Sequence, residues 1–288
     1  MDLATEGADW PNRGHSRMAA SRPHRWHVQE AGTGPDLLLL HGTGASTHSW
    51  AGMWEALARE RHLVAPDLPG HGFTRSGARQ RSRPGTMAAD LWSLMGALER
   101  QPRTILGHSA GVALALNMAT MPDRPHDIDT IVGINGALDG FEGAAGWLFP
   151  MVAKAIAAVP GLTSAMAGIA GRGGRSGRIL TSTGSDVPAR EAECYARLMA
   201  DPAHIDGALS MMAQWSTRGL PSIIEGYGGR LLLLTADDDP TVPPEGSRKA
   251  AAQAPDGHHV ALGPGGHLIH EARPELVVEA ILGIPEDP

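Results

Sequence analysis

Gly107-His108-Ser109-Ala110-Gly111 follows the short apolar run Thr104-Ile105-Leu106 and leads into the helical pattern Val112-Ala-Leu-Ala-Leu-Asn-Met118. This is G-x-S-x-G between a strand and a helix, a setting in which the serine sits at the apex of a sharp, strained turn with its hydroxyl exposed above a sheet. Glycines two residues to either side let the strand and helix backbones pass closely. A serine hydroxyl is a weak nucleophile at neutral pH, so such a site also needs a base, an acid to orient that base, and donors for an oxyanion.

Working outward, the pattern alternates between short apolar runs and helical stripes, the signature of a parallel sheet with helices on both faces. Before the elbow come Arg25-Trp-His-Val-Gln-Glu30 as a first strand, Leu37 to Leu40, and Leu63-Val-Ala65. Trp50, Met53, Trp54 and Leu57 recur at i, i+3, i+4 and i+7, one face of a helix. Thr86 is placed to cap a helix carrying Met87, Leu91, Leu94, Met95 and Leu98. After the elbow come the strands Thr130 to Ile134, Leu231 to Leu234 and His258 to Leu262, and a closing helix begins at Pro274. Residues 1–24 mix charges with Pro and Gly, show no sustained period, and read as a tail or surface wrap. The turn Pro66-Asp-Leu-Pro-Gly-His-Gly72 suits a tight reversal, with Asp67 and His71 in structural roles.

The alternation lapses over residues 136–221. That stretch is rich in large flexible apolar side chains, among them Trp147, Met199, Met212 and Trp215, and between Gly143 and Ala170 its one charged residue is Lys154. Pro150, Pro160 and several glycines interrupt it, which argues against a transmembrane span and for a helical lid lined with adaptable methionine. Residues 25–135 and 222–288 then form the core. Arg172, Arg175 and Arg178 follow the apolar stretch, so the lid pairs a greasy surface with cations that suit a carboxylate-bearing ligand. His108 beside the serine, Trp50 and Trp147 are further candidates for contact with a substrate.

Composition narrows the function. The 288 residues are 42% hydrophobic, ample for one large α/β domain with an insertion, and the formal charge of -7 argues against non-specific nucleic-acid binding. Fourteen histidines show no zinc-like spacing and read as mostly scattered over the surface; no metal or organic cofactor is called for. Cys194 is the single cysteine, so no intrachain disulfide forms, and no apolar run near Met1 has the length of a signal peptide's core. The expectation is a cytoplasmic protein whose greasy insertion allows peripheral membrane contact.

The missing chemical parts lie at strand ends. Asp237, Asp238 and Asp239 stand just past one strand, and any of them can orient a histidine. His267 lies beyond the next strand, between Gly265-Gly266 and Leu268. The chain order Ser109, Asp, His267 differs from the orders of chymotrypsin and subtilisin. One oxyanion donor is the N–H of Ala110; the other comes from His41-Gly-Thr-Gly44, with Thr43 favoured and Gly44 next.

From about Trp26 to the C-terminus the chain resembles the α/β-hydrolase superfamily, through Leu-His-Gly-Thr-Gly, Ala-Pro-Asp-Leu-Pro-Gly-His-Gly, Gly-His-Ser-Ala-Gly, Asp-Pro-Thr-Val-Pro and Gly-His-Leu-Ile-His-Glu. The resemblance implies an eight-stranded, mostly parallel sheet with a helical lid, and selects Asp239, four residues before the second proline of Asp-Pro-Thr-Val-Pro, as the acid. Thr235 or Ala236 stands where that pattern usually has glycine, which keeps Asp237 as the fallback. The runs His41-Gly-Thr-Gly-Ala-Ser-Thr-His-Ser-Trp50 and Asp67-Leu-Pro-Gly-His-Gly-Phe-Thr74, with Asn135-Gly-Ala-Leu138, are similar to the magnesium-chelatase accessory proteins of bacteriochlorophyll biosynthesis. That narrower resemblance implies a role near magnesium insertion into protoporphyrin. Its partners would be an apolar or amphipathic substrate such as a tetrapyrrole, or chelatase subunits. The two readings are a serine hydrolase acting on an ester-like bond and a non-catalytic binding protein that keeps the pocket.

Overall fold

The computed structural model describes residues 1–78, 80–139, 167–168 and 175–283, with the backbone alone described at 175 and 176. Eight strands form one sheet in the order β1-β2-β4-β3-β5-β6-β7-β8. They are β1 (Ser16–Ser21), β2 (His24–Ala31), β3 (Asp36–Leu40), β4 (His62–Pro66), β5 (Thr104–His108), β6 (Thr130–Ile134), β7 (Arg230–Thr235) and β8 (Asp256–Ala261). The two N-terminal strands are antiparallel to their neighbours, and β3 to β8 run parallel.

The apolar runs are continuous because both faces of the sheet are covered and successive side chains point to opposite faces. Leu38, Leu40, Ile105, Ile131, Leu231 and Leu233 enter one core, against α3 (Pro84–Leu98) and α4 (Ala110–Thr120). Their neighbours Leu37, Leu39, Leu106, Val132, Leu232 and Leu234 enter the other, against α2 (Ala51–Ala58) and a C-terminal helix, α11 (Pro274–Leu282). Helix α4 is buried nearly all round, as its lack of any charged residue requires. At Gly111 the chains come so close that a Cβ would lie 2.0 Å from the carbonyl oxygen of Leu40, so no larger residue fits where α4 crosses β3.

Between β6 and β7 the described residues form α5 (Arg175–Thr181), α6 (Ala189–Ala200), α7 (Pro202–Gln214) and α8 (Leu220–Gly226). Helix α9 (Pro244–Gln253) joins β7 to β8, and the short α10 (Ile269–Ala272) precedes α11. Among the described residues no helix is long and apolar enough to cross a membrane.

Three expectations change. The N-terminal stretch is no tail: α1 (Leu3–Glu6) leads to a buried Trp10, and β1 is an edge strand paired along its whole length with β2. An edge strand buries only some of its residues, here two of six, so Ser16-Arg-Met-Ala-Ala-Ser21 carries no apolar run to announce it. Helix α3 starts at Pro84 rather than after Thr86, proline's fixed φ suiting the first turn. Nine of the fourteen histidines are buried rather than scattered over the surface, and most of these surround the site described next.

Candidate active site

Strand order alone brings the chemistry together. β3 and β5 are neighbours, with Leu40 paired to Gly107, so the loop after β3 and the turn after β5 leave the sheet side by side. β4 lies on the other side of β3, which makes this a switch point of the kind where parallel sheets open a crevice at their carboxyl ends. Ser109 occupies the turn at φ 52° and ψ -115°, a strained conformation for a residue with a side chain, and its N–H donates to the carbonyl of Ile134 at 2.9 Å. Ser109, Ala110, Gly42, Thr43 and His267 all line one cavity of about 1000 Å³.

His267 Nδ1 and Asp239 Oδ2 are 2.7 Å apart, both side chains buried. With Nδ1–H donating to the carboxylate, the neutral ring keeps its lone pair on Nε2, the atom a general base uses. The other carboxylate oxygen of Asp239 accepts the N–H groups of Thr241 and Val242 at 2.7 and 3.0 Å, which fixes its rotamer. The three aspartates thus separate by environment. Asp237 is exposed, and its backbone N–H bonds Gly263 O at 3.0 Å. Asp238 accepts the N–H groups of Gly265 and Gly266 at 2.8 and 2.9 Å, and those bonds, Gly266 first, hold its carboxyl below the usual range. Gly266 has φ +66°, and a Cβ there would lie 2.4 Å from the backbone of Gly184, so the base loop and the insertion meet through two glycines. His267 N–H donates to Thr183 O at 2.8 Å, and Ser185 Oγ bridges Gly265 O and Leu268 N–H, both at 2.8 Å.

A shell of imidazoles surrounds these residues. His108 is buried, its Nε2–H donates to His267 O at 2.9 Å, and its ring lies 4.8 Å from His267 and 4.2 Å from His270. Burial, with the two neighbouring histidines, pushes its pKa well below the ordinary range, so it stays neutral. His41 Nδ1–H donates to Gly42 O at 2.8 Å while its Nε2 accepts Leu68 N–H at 2.9 Å, tying the loop after β3 to the turn after β4. His204 reaches that loop from α7, donating to Gly44 O at 3.1 Å and accepting Gly72 N–H at 3.1 Å. Asp67 is wholly buried; it accepts Thr47 and Phe73 N–H groups at 2.7 and 2.8 Å and pairs with His27 at 2.7 Å. Asp67 is therefore a structural hub, as its turn suggests. Among the described residues no group of three or more His, Cys, Asp or Glu could hold a metal.

Across the cavity from the sheet, the insertion contributes Ile179, Leu180, Tyr195, Met199, Met212 and Trp215. Two expected ligand contacts fall elsewhere. Trp50 is buried in the core between α2 and the sheet, since the face it shares with Met53, Trp54 and Leu57 turns inward, and it does not line the cavity. Arg178 is exposed on α5 and does not line it either, whereas Arg218, at the start of the turn into α8, does. Trp147 and Arg172 lie outside the described residues, as does the side chain of Arg175. Sequence reasoning gave no role to Arg218, Tyr195 or Asn135; of these only Asn135 carried a signal, its place at the end of an apolar run and in the run Asn135-Gly-Ala-Leu138.

Comparison with known proteins agrees with the fold. A family model described as alpha/beta hydrolase fold matches residues 35–274, and the chain belongs to that family. Solved structures share the fold at low identity: a lipase of Acinetobacter baumannii has a TM-score of 0.79 at 18% identity, covering 98% of this chain and 96% of the lipase. A bromoperoxidase of Bacillus anthracis reaches 0.73 at 21%, covering 93% of this chain and 98% of the bromoperoxidase. Within the family, the chain is 40% identical over 273 residues, 94% of each protein, to the magnesium-chelatase 30 kDa subunit of Rhodobacter capsulatus.

Proposed function

We propose that the protein is a serine hydrolase acting on an ester-like bond, at or near the magnesium-chelation step of bacteriochlorophyll biosynthesis. The observation that carries the chemistry is the bond from His267 Nδ1 to a buried Asp239, in a cavity that also exposes Ser109 on a strained turn. His267 Nε2 takes the hydroxyl proton as Ser109 Oγ attacks the substrate carbonyl. The carbonyl oxygen, now anionic, is held by the N–H groups of Thr43 and Ala110. Collapse expels the alcohol, which receives its proton from His267, and leaves an acyl-serine. Water, deprotonated by His267, then releases the acid and restores Ser109. Asp239 stabilises the imidazolium that forms in each half.

The cavity favours an amphipathic substrate. Its walls from the insertion, which acts as the lid, are mostly apolar and include two methionines; among the described residues Asp139 and Arg218 are the charged ones there, and Arg218 supplies a cation for an acidic group. The experiment is hydrolysis of p-nitrophenyl esters of increasing chain length by the wild type and by Ser109→Ala. The wild type turns them over, and the substitution lowers kcat by a factor on the order of 10⁴ to 10⁶. Equal rates in the two proteins sink the proposal.

A second reading is favoured by the identity to a protein named as a chelatase subunit: an accessory protein that holds a tetrapyrrole, or docks on chelatase subunits, without turnover. Protoporphyrin and its dimethyl ester, titrated while tryptophan fluorescence is followed, separate the two. Binding of the acid weakened by Arg218→Gln, in a protein that hydrolyses no ester, selects the accessory role.

A further inference from the structure

Asn135 stands at the end of β6, the strand between the nucleophile's β5 and the acid's β7, and is buried with φ +45°. Asparagine tolerates this left-handed conformation better than most residues with a side chain, yet it is strained, and the strain is held by an unusually complete set of bonds. The backbone N–H donates to Leu234 O at 2.9 Å, and the side-chain Oδ1 accepts Ala236 N–H at 2.9 Å, both on the strand end that leads to Asp239. The side-chain Nδ2 donates to two successive carbonyls of the base loop, Gly266 O at 3.0 Å and His267 O at 2.9 Å. One residue earlier, Ile134 O accepts the N–H of Ser109, and two later, Ala137 N–H returns to Ser109 O at 3.1 Å. One buried amide therefore touches the acid strand and the base loop, in a segment stitched to the nucleophile turn.

The carbonyl of His267 is the point of convergence. It accepts Asn135 Nδ2 from the end of β6 and His108 Nε2 from the residue before Ser109. A carbonyl has two lone pairs, and here both are used by donors whose own backbones belong to the sheet. The loop from Gly263 to His267 has no regular structure of its own, so its place above the sheet is set by individual hydrogen bonds, these side-chain ones beside the backbone bonds to Asp237 and Thr183.

We propose that Asn135 is a positioning residue for the reaction, acting through the backbone of His267 with His108 as the second donor, to set the base against both Ser109 and Asp239. The proposal rests on the hydrolase reading for its catalytic consequence, but not for its structural one. A base displaced by as little as 1 Å costs about a hundredfold in rate.

The test uses Asn135→Gly, because glycine adopts φ +45° without strain and so removes the amide while leaving the backbone at ease. Two readouts are taken: ester hydrolysis, and the low-field proton NMR signal of the His267–Asp239 hydrogen bond, assigned by its loss in Asp239→Asn. The expected result is loss or broadening of that signal, with kcat lower by about a hundredfold and KM within about twofold of wild type. In a His267→Ala background the same substitution then costs no further activity, since it acts through the missing ring. Persistence of the signal in Asn135→Gly overturns the proposal whatever the turnover, and so does loss of the signal with unchanged kcat. A wild type that hydrolyses nothing, but whose signal still depends on Asn135, leaves the positioning role standing and removes the hydrolase reading alone.

Discussion

Glu271 is a buried carboxyl four residues beyond His267, and burial pushes its pKa up to about 7, against the opposing hydrogen bonds from Ser49 and Tyr195. Its Oε1 accepts both of those hydroxyls, Tyr195 at 2.7 Å, while Oε2 has no partner among the described residues. His270, 3.7 Å away, is held down to about 3 by burial first and His267 second, so the contact is between neutral groups below pH 7. The folded state thus binds a proton on Glu271 more tightly than the unfolded chain does. No stability is lost below the unfolded carboxyl's titration near pH 4.5; stability falls as pH rises from there to about 7, and is flat above. The loss is on the order of 3 kcal/mol. Glu271→Gln, which cannot ionise, is expected to melt higher than wild type at pH 8, with the gap closing at pH 5. The same difference in melting temperature at both pH values would contradict this. At this scale the sequence disclosed the candidate site residues: Ser109 and His267 fall at strand ends with recognisable neighbours, and the family resemblance singled out Asp239 among three aspartates. Those that hold them in place were hidden. Asp238 bonds Gly265 and Gly266 across 27 and 28 positions, and His108 bonds His267 across 159, contacts that no local pattern encodes. The histidines misled for the same reason: imidazole is polar enough to read as surface, and is buried here because each ring finds one donor or acceptor inside.

Among the elements, the core strands and the C-terminal edge β8 were legible and the N-terminal edge β1 was not. Leu37 to Leu40 and Leu231 to Leu234 are apolar on both faces because both faces are covered, whereas β1 alternates weakly at the sheet's margin. The insertion was legible as an interruption, and its relation to the base loop was not. Thr183 and Ser185, just beyond α5, hydrogen-bond His267 and its neighbours, so the insertion braces the base loop as well as lining the cavity. Ser185→Ala removes both bonds of the Oγ bridge. It should cost about 1 kcal/mol of stability and speed hydrogen exchange at the amide of Leu268, read by mass spectrometry. Unchanged exchange there would show that the insertion covers the base loop without bracing it.

For the whole molecule, function follows from topology. Four segments distant in sequence, the loop after β3, the turn after β5, the end of β7 and the loop after β8, reach one crevice because parallel strands all present their carboxyl ends to the same edge. The kinship with a chelatase subunit and the shared fold with a lipase bear on different questions, the pathway and the architecture, and neither decides whether Ser109 reacts. That is decided by incubating the folded protein with a fluorophosphonate and mapping the adduct by mass spectrometry. The account predicts a single adduct on Ser109, abolished in His267→Ala and slowed in Asp239→Asn. Adducts elsewhere, or none on the intact wild-type fold, would contradict it.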